Sequence, residues 1–187
     1  MNMDRRTFAV AAAAVAFAVP GAGHAQAKPD PENTVFLDTK DGRIVIRLRP
    51  DLAPRHVAQI KTLVRRGFYD GIVFHRVIDG FMAQTGDPTG TGTGRSDLPN
   101  IPAEFSAEPF RRGTLGMARA QDPNSANSQF FICFDEASFL NRQYTVFGEV
   151  VSGMDVVDKI KKGDKARNGT VSNPDRIVSM RIAADVK

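Results

Sequence analysis

Short stretches rich in β-branched and aromatic residues, each closed by turn residues, recur along this chain and constrain its fold more than any other feature. The clearest lies in residues 43–49, where Ile44, Ile46 and Leu48 alternate largely with arginines. An alternation of period two is typical of a strand with one buried face. This stretch follows another across a turn at residues 41–42. Six more predicted strands come later, at residues 71–77, 81–86, 113–119, 129–134, 145–151 and 176–182.

Two helices are predicted beside these strands. Residues 53–67 carry a proline near the start, an apolar face and a closing glycine, and residues 154–161 form the second helix. The final strand is expected to place Val178, Met180 and Ile182 on one face. Because no strand–helix–strand rhythm appears, the pattern predicts an all-β closed barrel or a sandwich. We find no internal repeat and no second domain.

The first 27 residues have the plan of an export signal. Arg5 and Arg6 precede an apolar run at residues 8–19, and the segment ends in the small-residue sequence of residues 25–27. A basic start, a short apolar run and an A-x-A end are typical of a cleavable signal peptide. A bilayer-spanning helix needs about 20 apolar residues, and the run at residues 8–19 is shorter than that. We expect no stable membrane insertion after the signal is removed.

The twin arginines also suggest an export route. With Thr7 and Phe8, Arg5 and Arg6 resemble the R-R-x-F core of twin-arginine signals, although Asp4 replaces the usual hydroxyl residue. A general secretory signal is the alternative. Either route predicts the periplasm as the destination.

The rest of the chain is divided into a short linker at residues 28–33 and one domain at residues 34–187. Without the leader, the chain has 23 basic and 20 acidic residues, a net charge of +3. This balance, with no basic stripe, does not favour nucleic-acid binding. The single cysteine, Cys133, lies in an apolar run, so we expect a buried side chain and no intramolecular disulfide.

Several kinds of catalytic or binding site find little support in the sequence. The glycine-rich stretch at residues 86–95 lacks the G-K-[ST] ending of a phosphate loop, so a flexible surface loop is expected. His56, on the first helix, is expected to be exposed or half-buried. His56 and His75 have no cysteine or carboxylate at ligand spacing, so no metal site is predicted. No G-x-S-x-G motif of a serine hydrolase is present.

Residues 74–87, FHRVIDGFMAQTGD, mix a charge with large apolar side chains. Arg76 does not suit a core strand, and Phe81 and Met82 do not suit a solvated loop. The mixture indicates an apolar surface pocket that carries one fixed positive charge.

Three blocks of sequence resemble the cyclophilin family of peptidyl-prolyl cis-trans isomerases in its bacterial form. They are residues 74–87, GTLGMARAQDPNSANSQFFI at 113–132 and FLNRQYTVFGEVVSGMDVVDKI at 139–160. The resemblance runs from about residue 35 to about residue 184. It implies an eight-stranded closed antiparallel β-barrel capped by two α-helices.

The resemblance also implies roles for individual residues. Arg76 matches the family's catalytic arginine, and Phe81 and Gln84 belong to the same catalytic group. Tyr144 stands where many relatives have histidine, Arg119 where many have asparagine, and Phe139 where well-studied eukaryotic members have tryptophan. The residues expected to bind substrate are His75, Met82, Ala118, Arg119, Ala120, Gln129, Phe131, Phe139, Leu140 and Tyr144.

The implied activity is rotation about Xaa-Pro bonds in exported proteins, without a cofactor, a metal or a covalent intermediate. The expected partners are proline-containing polypeptides, and the protein is expected to be a monomer. Because phenylalanine has no indole N–H, Phe139 predicts weak binding of cyclosporin. A chaperone-like module that grips proline segments without turning them is the rival hypothesis, and the presence of Arg76 and Gln84 favours the enzyme.

Overall fold

A computed structural model describes residues 30–187, which form eight strands and two α-helices. The predicted signal peptide lies outside the described residues. The elements, in chain order, are β1 (Thr34–Thr39), β2 (Gly42–Leu48), α1 (Pro54–Arg65), β3 (Arg76–Ile78), β4 (Met82–Thr85), β5 (Thr114–Met117), β6 (Phe130–Cys133), β7 (Val146–Ser152), α2 (Met154–Lys159) and β8 (Ser179–Ile182). No helix among residues 30–187 is long and apolar enough to cross a membrane.

The eight strands form one antiparallel sheet in the order β3-β4-β6-β5-β7-β2-β1-β8. The strand count and both helices predicted from the sequence are confirmed. The closed barrel is not confirmed, because no ladder joins β3 to β8 in the described part of the chain. The residues just before these end strands do meet, since the amide of Phe74 donates to the carbonyl of Asp175 and the amide of Ile177 to that of Ile72, both at 2.9 Å.

The main core lies inside the curled sheet and under α1. On β2, Ile44, Ile46 and Leu48 are buried as the alternation predicts. The apolar face of α1, which includes Ile60 and Leu63, is buried as well. Strands β5 and β6 are buried at every position, so both of their faces are covered. One face belongs to the main core and the other to a second apolar cluster outside it.

The last strand is shorter than predicted and its predicted face is partly wrong. Met180 and Ile182 are buried, but Val178 is 60% exposed and Ile177 is buried instead. Ile177 exchanges backbone hydrogen bonds with Gly71 and Ile72, which turns its side chain inward. Because neighbouring residues of an extended chain point to opposite sides, Val178 then points outward.

Helix α2 also ends early. It stops at Lys159, two residues before the predicted end, because Ile160 has an extended backbone with φ −55° and ψ 128°.

The prediction for His56 is wrong, since its side chain is fully buried. The residue before α1, Ala53, has no side chain that could cap the helix. The Glu104 carboxylate takes over this role by accepting the amides of Arg55 and His56 at 3.1 Å. The Nδ1 of His56 lies 2.7 Å from Oε2 of the same carboxylate and donates to it. A long-range cap therefore fixes both the start of α1 and the histidine ring.

We expect Glu104→Gln to lower the free energy of unfolding by about 1–3 kcal/mol at pH 7, because the glutamine side chain lacks the negative charge of the carboxylate that accepts these hydrogen bonds. Urea denaturation followed by circular dichroism measures the change. Glu108→Gln is the control, since its carboxylate only approaches Arg49 at 3.9 Å. It should shift stability by less than about 0.5 kcal/mol. Equal losses in the two variants would contradict the capping role.

The pair of His56 and Glu104 also makes the free energy of unfolding depend on pH. Burial lowers the pKa of His56, which its contact with Glu104 only partly offsets. The neutral ring therefore contributes stability above the unfolded pKa of about 6.5, and this contribution is lost as the pH falls below it. Burial raises the pKa of Glu104, but hydrogen bonds from His56 and two amides outweigh it and lower the pKa overall. Its contribution is lost only at more acidic pH, so the decline should begin with His56.

Candidate active site

Cross-strand pairing places four residues in one row across four neighbouring strands. Arg76 of β3 pairs with Gln84 of β4, Gln84 pairs with Phe131 of β6, and Phe131 pairs with Gly116 of β5. Because paired residues of adjacent strands lie on the same face, the row brings a charge, an amide and an aromatic ring together. The spacing along the sequence, which reaches 55 positions, gives no hint of this neighbourhood.

The next residues along the same strands point the other way. Val77, Ala83 and Ile132 also pair with one another, and all three are fully buried in the main core. Successive side chains of a strand lie on opposite faces. The core residues therefore hold the strands in register, and the register sets the row of Arg76.

Neutral acceptors orient the guanidinium of Arg76. Its Nη1 donates to Oε1 of Gln84 at 3.2 Å. Its Nε and Nη2 donate to the backbone oxygen and Oδ1 of Asn168 at 3.0 and 2.9 Å. Burial lowers the pKa of Arg76, yet a guanidinium remains protonated in proteins. The site thus contains a half-buried cation with no carboxylate among its hydrogen-bond acceptors.

The amides continue the network away from Arg76. Gln84 donates through Nε2 to Oε1 of Gln129 at 2.9 Å. Gln129 donates in turn to the carbonyls of Gly92 and Gly94 at 3.1 and 2.8 Å. The glycine-rich loop therefore supports the amide chain. Because the Nε2 of Gln84 donates to Gln129, the Oε1 of Gln84 faces Arg76 and can accept from the guanidinium.

A cavity of about 370 Å³ opens beside Arg76. Ten of the residues predicted for the site line it, together with Gln143, which the sequence reading missed. The lining residues are Arg76, Phe81, Met82, Gln84, Ala118, Arg119, Phe131, Phe139, Leu140, Gln143 and Tyr144. Apart from the guanidinium groups and the two amides, the wall is largely apolar, so the cavity can hold a compact apolar ring next to a fixed positive charge.

The aromatic floor of this cavity is packed from behind. Phe131 stacks on Phe110 at 5.7 Å between ring centroids and meets the edge of Tyr144 at 5.9 Å. A Cβ at Gly116 would overlap the rings of Phe131 and Phe110. Glycine at this position therefore lets both rings lie against the sheet. Cys133 is buried in the same cluster, as predicted, and burial raises the pKa of its thiol to about 12.

A second cavity adjoins the first and is lined by Ala120 and Gln129, with Gln84, Ala118 and Arg119 shared between the two. The guanidinium of Arg119 lies 4.6 Å from the ring centroid of Tyr144. It also donates to the carbonyls of Gln143 and Ala120. Arg119 thus connects its own segment, residues 118–120, to the segment of Gln143 and Tyr144, which also borders the main cavity.

His75 is the predicted substrate-binding residue that the structure does not bring to either cavity. Its ring is buried, and a Cβ at Gly92 would lie 3.6 Å from it. Since the backbone alternates, His75 points away from the face that carries Arg76. Burial lowers its pKa, which favours the neutral ring. No group of three or more potential metal ligands occurs among residues 30–187.

With this geometry described, comparison with known proteins decides the family. The sequence model of the family described as cyclophilin type peptidyl-prolyl cis-trans isomerase/CLD matches residues 34–182. The chain belongs to this family. It is an enzyme, a peptidyl-prolyl cis-trans isomerase of the cyclophilin type.

Curated relatives agree with this assignment. A probable peptidyl-prolyl cis-trans isomerase of Brucella suis is 60% identical, over 97% of this chain and 98% of its own length. A peptidyl-prolyl cis-trans isomerase of Helicobacter pylori is 43% identical, over 68% of this chain and 80% of its own.

Solved cyclophilin structures have the same fold. The cyclophilin AquaCyp293 of Hirschia baltica superimposes with a TM-score of 0.76 at 32% identity, covering 84% of this chain and 76% of its own. A cyclophilin of Cryptosporidium parvum, crystallised in the presence of the dipeptide ala-pro, has a TM-score of 0.73 at 30% identity. That match covers 80% of this chain and 98% of the other.

Sequence reasoning missed three contributors to the cyclophilin site. Gln143 lines the main cavity, Gly116 makes room for its floor, and Asn168 holds Arg76. Asn168 stands 92 positions after Arg76 and precedes a glycine, which on sequence indicates only a turn. No local pattern links it to the arginine.

Proposed function

We propose that Arg76 accelerates rotation about the Xaa-Pro bond by donating a hydrogen bond to the prolyl nitrogen. Amide resonance gives this bond a rotation barrier of about 18–20 kcal/mol, and uncatalysed exchange takes tens of seconds or longer. As the bond twists, the resonance weakens and the nitrogen regains a lone pair. A donor aimed at that lone pair binds the twisted state more strongly than the planar one, which is the condition for catalysis.

The observation that carries this proposal is the half-buried guanidinium at the edge of an apolar cavity. Asn168 and Gln84 occupy three of the five N–H groups of Arg76. The other two N–H groups have no acceptor among residues 30–187 and remain available to a substrate. Met82, Phe131 and Leu140 are nearly fully buried and offer the apolar wall on which the proline ring would rest. The rest of the substrate then turns about a ring held in place.

The substrate chain is proposed to run in extended form along residues 118–120. The amides of Ala118 and Ala120 already donate to the Gln129 carbonyl and to Ser125 Oγ. The amide of Arg119 has no hydrogen-bond partner in the described part of the chain. We therefore propose that main-chain pairing with the substrate uses this amide. The side chain at position 119 matters less for that contact.

No cofactor enters the proposed reaction. The twist transfers no proton and forms no covalent bond, so a positioned donor and a rigid apolar wall are sufficient. Gln84 has two tasks in this scheme: its Oε1 orients Arg76, and its side chain borders both cavities, where it can reach the substrate backbone.

We expect Arg76→Ala to lower kcat/KM at least about tenfold, because a hydrogen bond from a charged donor contributes roughly 1.5–3 kcal/mol. Arg76→Lys should also be impaired, since an ammonium lacks the planar fork. A protease-coupled assay on a proline tetrapeptide measures the rate. The control is Arg47→Ala, which removes an exposed arginine that pairs with Glu149 and lines neither cavity. Full activity of the alanine variant, with unchanged circular dichroism, would rule out this role for Arg76.

Phe139 is proposed to weaken cyclosporin binding without weakening catalysis. Phe139 is 62% exposed at the rim of the cavity, and its ring centroid lies 5.2 Å from that of Phe81. Phenylalanine supplies apolar area but no donor, whereas tryptophan supplies both.

We therefore expect Phe139→Trp to bind cyclosporin about tenfold or more tightly, with peptide turnover changed less than about twofold. Isothermal titration calorimetry and the peptide assay give the two values, and Phe105→Trp, at another exposed phenylalanine, serves as the control. If both tryptophan variants bind the drug as the unmodified protein does, Phe139 does not control this surface.

We propose that the enzyme acts in the periplasm on exported proteins. The proposal rests on the leader sequence, in which Arg5 and Arg6 precede the apolar run. A reporter fused after residue 27 should reach the periplasm, and replacing the two arginines by lysines should block its export. Continued export of the lysine form would point to the general secretory route, and retention of the unmodified fusion inside the cell would refute export.

A further inference from the structure

Asn168 holds one whole edge of the Arg76 guanidinium. The Nε–H of Arg76 donates to the backbone oxygen of Asn168 at 3.0 Å, and Nη2 donates to its Oδ1 at 2.9 Å. Two parallel hydrogen bonds to a single residue fix the plane of a guanidinium as well as its position. Gln84 meets the group at one atom only, Nη1. Asn168 is therefore the residue that constrains the orientation of Arg76 most.

The backbone around Asn168 is built to present this edge. Asn168 has φ 53° and ψ 34°, a left-handed conformation that asparagine tolerates better than most residues. It ends a 3₁₀ turn at Lys165–Arg167, whose first residues are capped by the Asp164 side chain. In this conformation both the carbonyl and the side-chain oxygen of Asn168 face Arg76.

The segment that carries Asn168 is itself fixed to β3. The amides of Gly163 and Val171 donate to the carbonyls of Val77 and His75, and the amide of Val77 donates to the carbonyl of Gly169. These bonds lie on the edge of β3 opposite to β4, so the segment runs along the strand that bears Arg76. A Cβ at Gly163 would overlap the backbone of Gly169, which shows how closely the segment folds on itself.

We propose that Asn168 is a positioning residue for isomerisation: its side-chain oxygen holds the Arg76 guanidinium so that the remaining N–H groups face the cavity. This inference rests on the proposed role of Arg76. Arginine loses considerable rotamer freedom when it is ordered, and a donor that must reach a nitrogen only in the twisted state gains from being ordered in advance. Asn168 supplies that order without cancelling the charge, because its acceptors are neutral.

The test is Asn168→Gly, which keeps the left-handed backbone and the carbonyl but removes Oδ1. We expect kcat to fall about fivefold while KM changes less than about twofold, because the lost order matters only in the twisted state. Asn168→Asp, which restores an acceptor at the same place, should restore the order of the Arg76 guanidinium but only part of the rate, because a carboxylate compensates the charge that the neutral amide leaves free. The Nε–H resonance of Arg76 in the nitrogen–proton spectrum should shift and broaden in the glycine variant and return in the aspartate variant.

Asn173→Gly is the matched control. Asn173 also has a positive φ, 52°, and it is not among the hydrogen-bond partners of Arg76 within residues 30–187. It should leave kcat and the Arg76 resonance unchanged. If Asn168→Gly and Asn173→Gly both alter only the melting temperature, Asn168 has a structural role alone and the inference is overturned.

A double variant separates this inference from the proposed function. With Arg76→Ala in place, Asn168→Gly should cause no further loss of kcat, because the two changes remove one interaction. Full activity of Arg76→Ala alone would refute the role of the arginine itself. Loss in Arg76→Ala but full activity in Asn168→Gly would refute only the positioning role. A further loss in the double variant would show that Asn168 acts through another group.

Discussion

The register of β3, β4, β6 and β5 is the constraint on which the site depends. Every second side chain of these strands is buried in the main core, and this packing allows only one register between neighbouring strands. The register in turn decides which of the remaining side chains lie next to one another on the opposite face. Arg76, Gln84 and Phe131 form one row in this register. A slip of one residue in β4 would exchange Gln84 for a core residue and would move the amide out of reach of the guanidinium. Stability and the geometry of the site therefore come from the same backbone pairing.

The electrostatic surroundings of Arg76 differ from those of the surface arginines that pair with carboxylates. Arg43 and Arg181 donate to the carboxylates of Asp38 and Asp70 on the surface, where the charges compensate one another. The acceptors of Arg76 are amide oxygens, which orient the cation but leave its charge uncompensated. Beside an apolar wall, such a charge interacts strongly with a polar group that enters the cavity. The neutral surroundings of Arg76 are thus a functional property, and their cost is the partial removal of water from a charged guanidinium.

Periodicity, which is local in the chain, predicted the eight strands and the two helices, whereas ten of the residues that line the main cavity were implied by the resemblance to the cyclophilin family. Prediction from the sequence failed where the reason lies far away. His56 is buried because Glu104, 48 positions later, caps its helix. Val178 is turned outward because Ile177 bonds to the segment before β3. His75, although it is next to Arg76, faces away from it. Adjacency in a motif does not place two strand residues on the same face, and single-sequence patterns carry no information about contacts this distant.

The separation of 92 positions between Arg76 and Asn168 also has a consequence for the order in which the site is made. Strands β3, β4, β6 and β5 are complete by Cys133, yet the anchor of the guanidinium and β8, one of the two partner strands of β1, both come from residues 163–182. A nascent chain synthesised only to residue 160 contains the residues of the pocket wall but not the residue that orients the arginine. The oriented arginine is thus acquired late in synthesis, after the strands that carry it have been made.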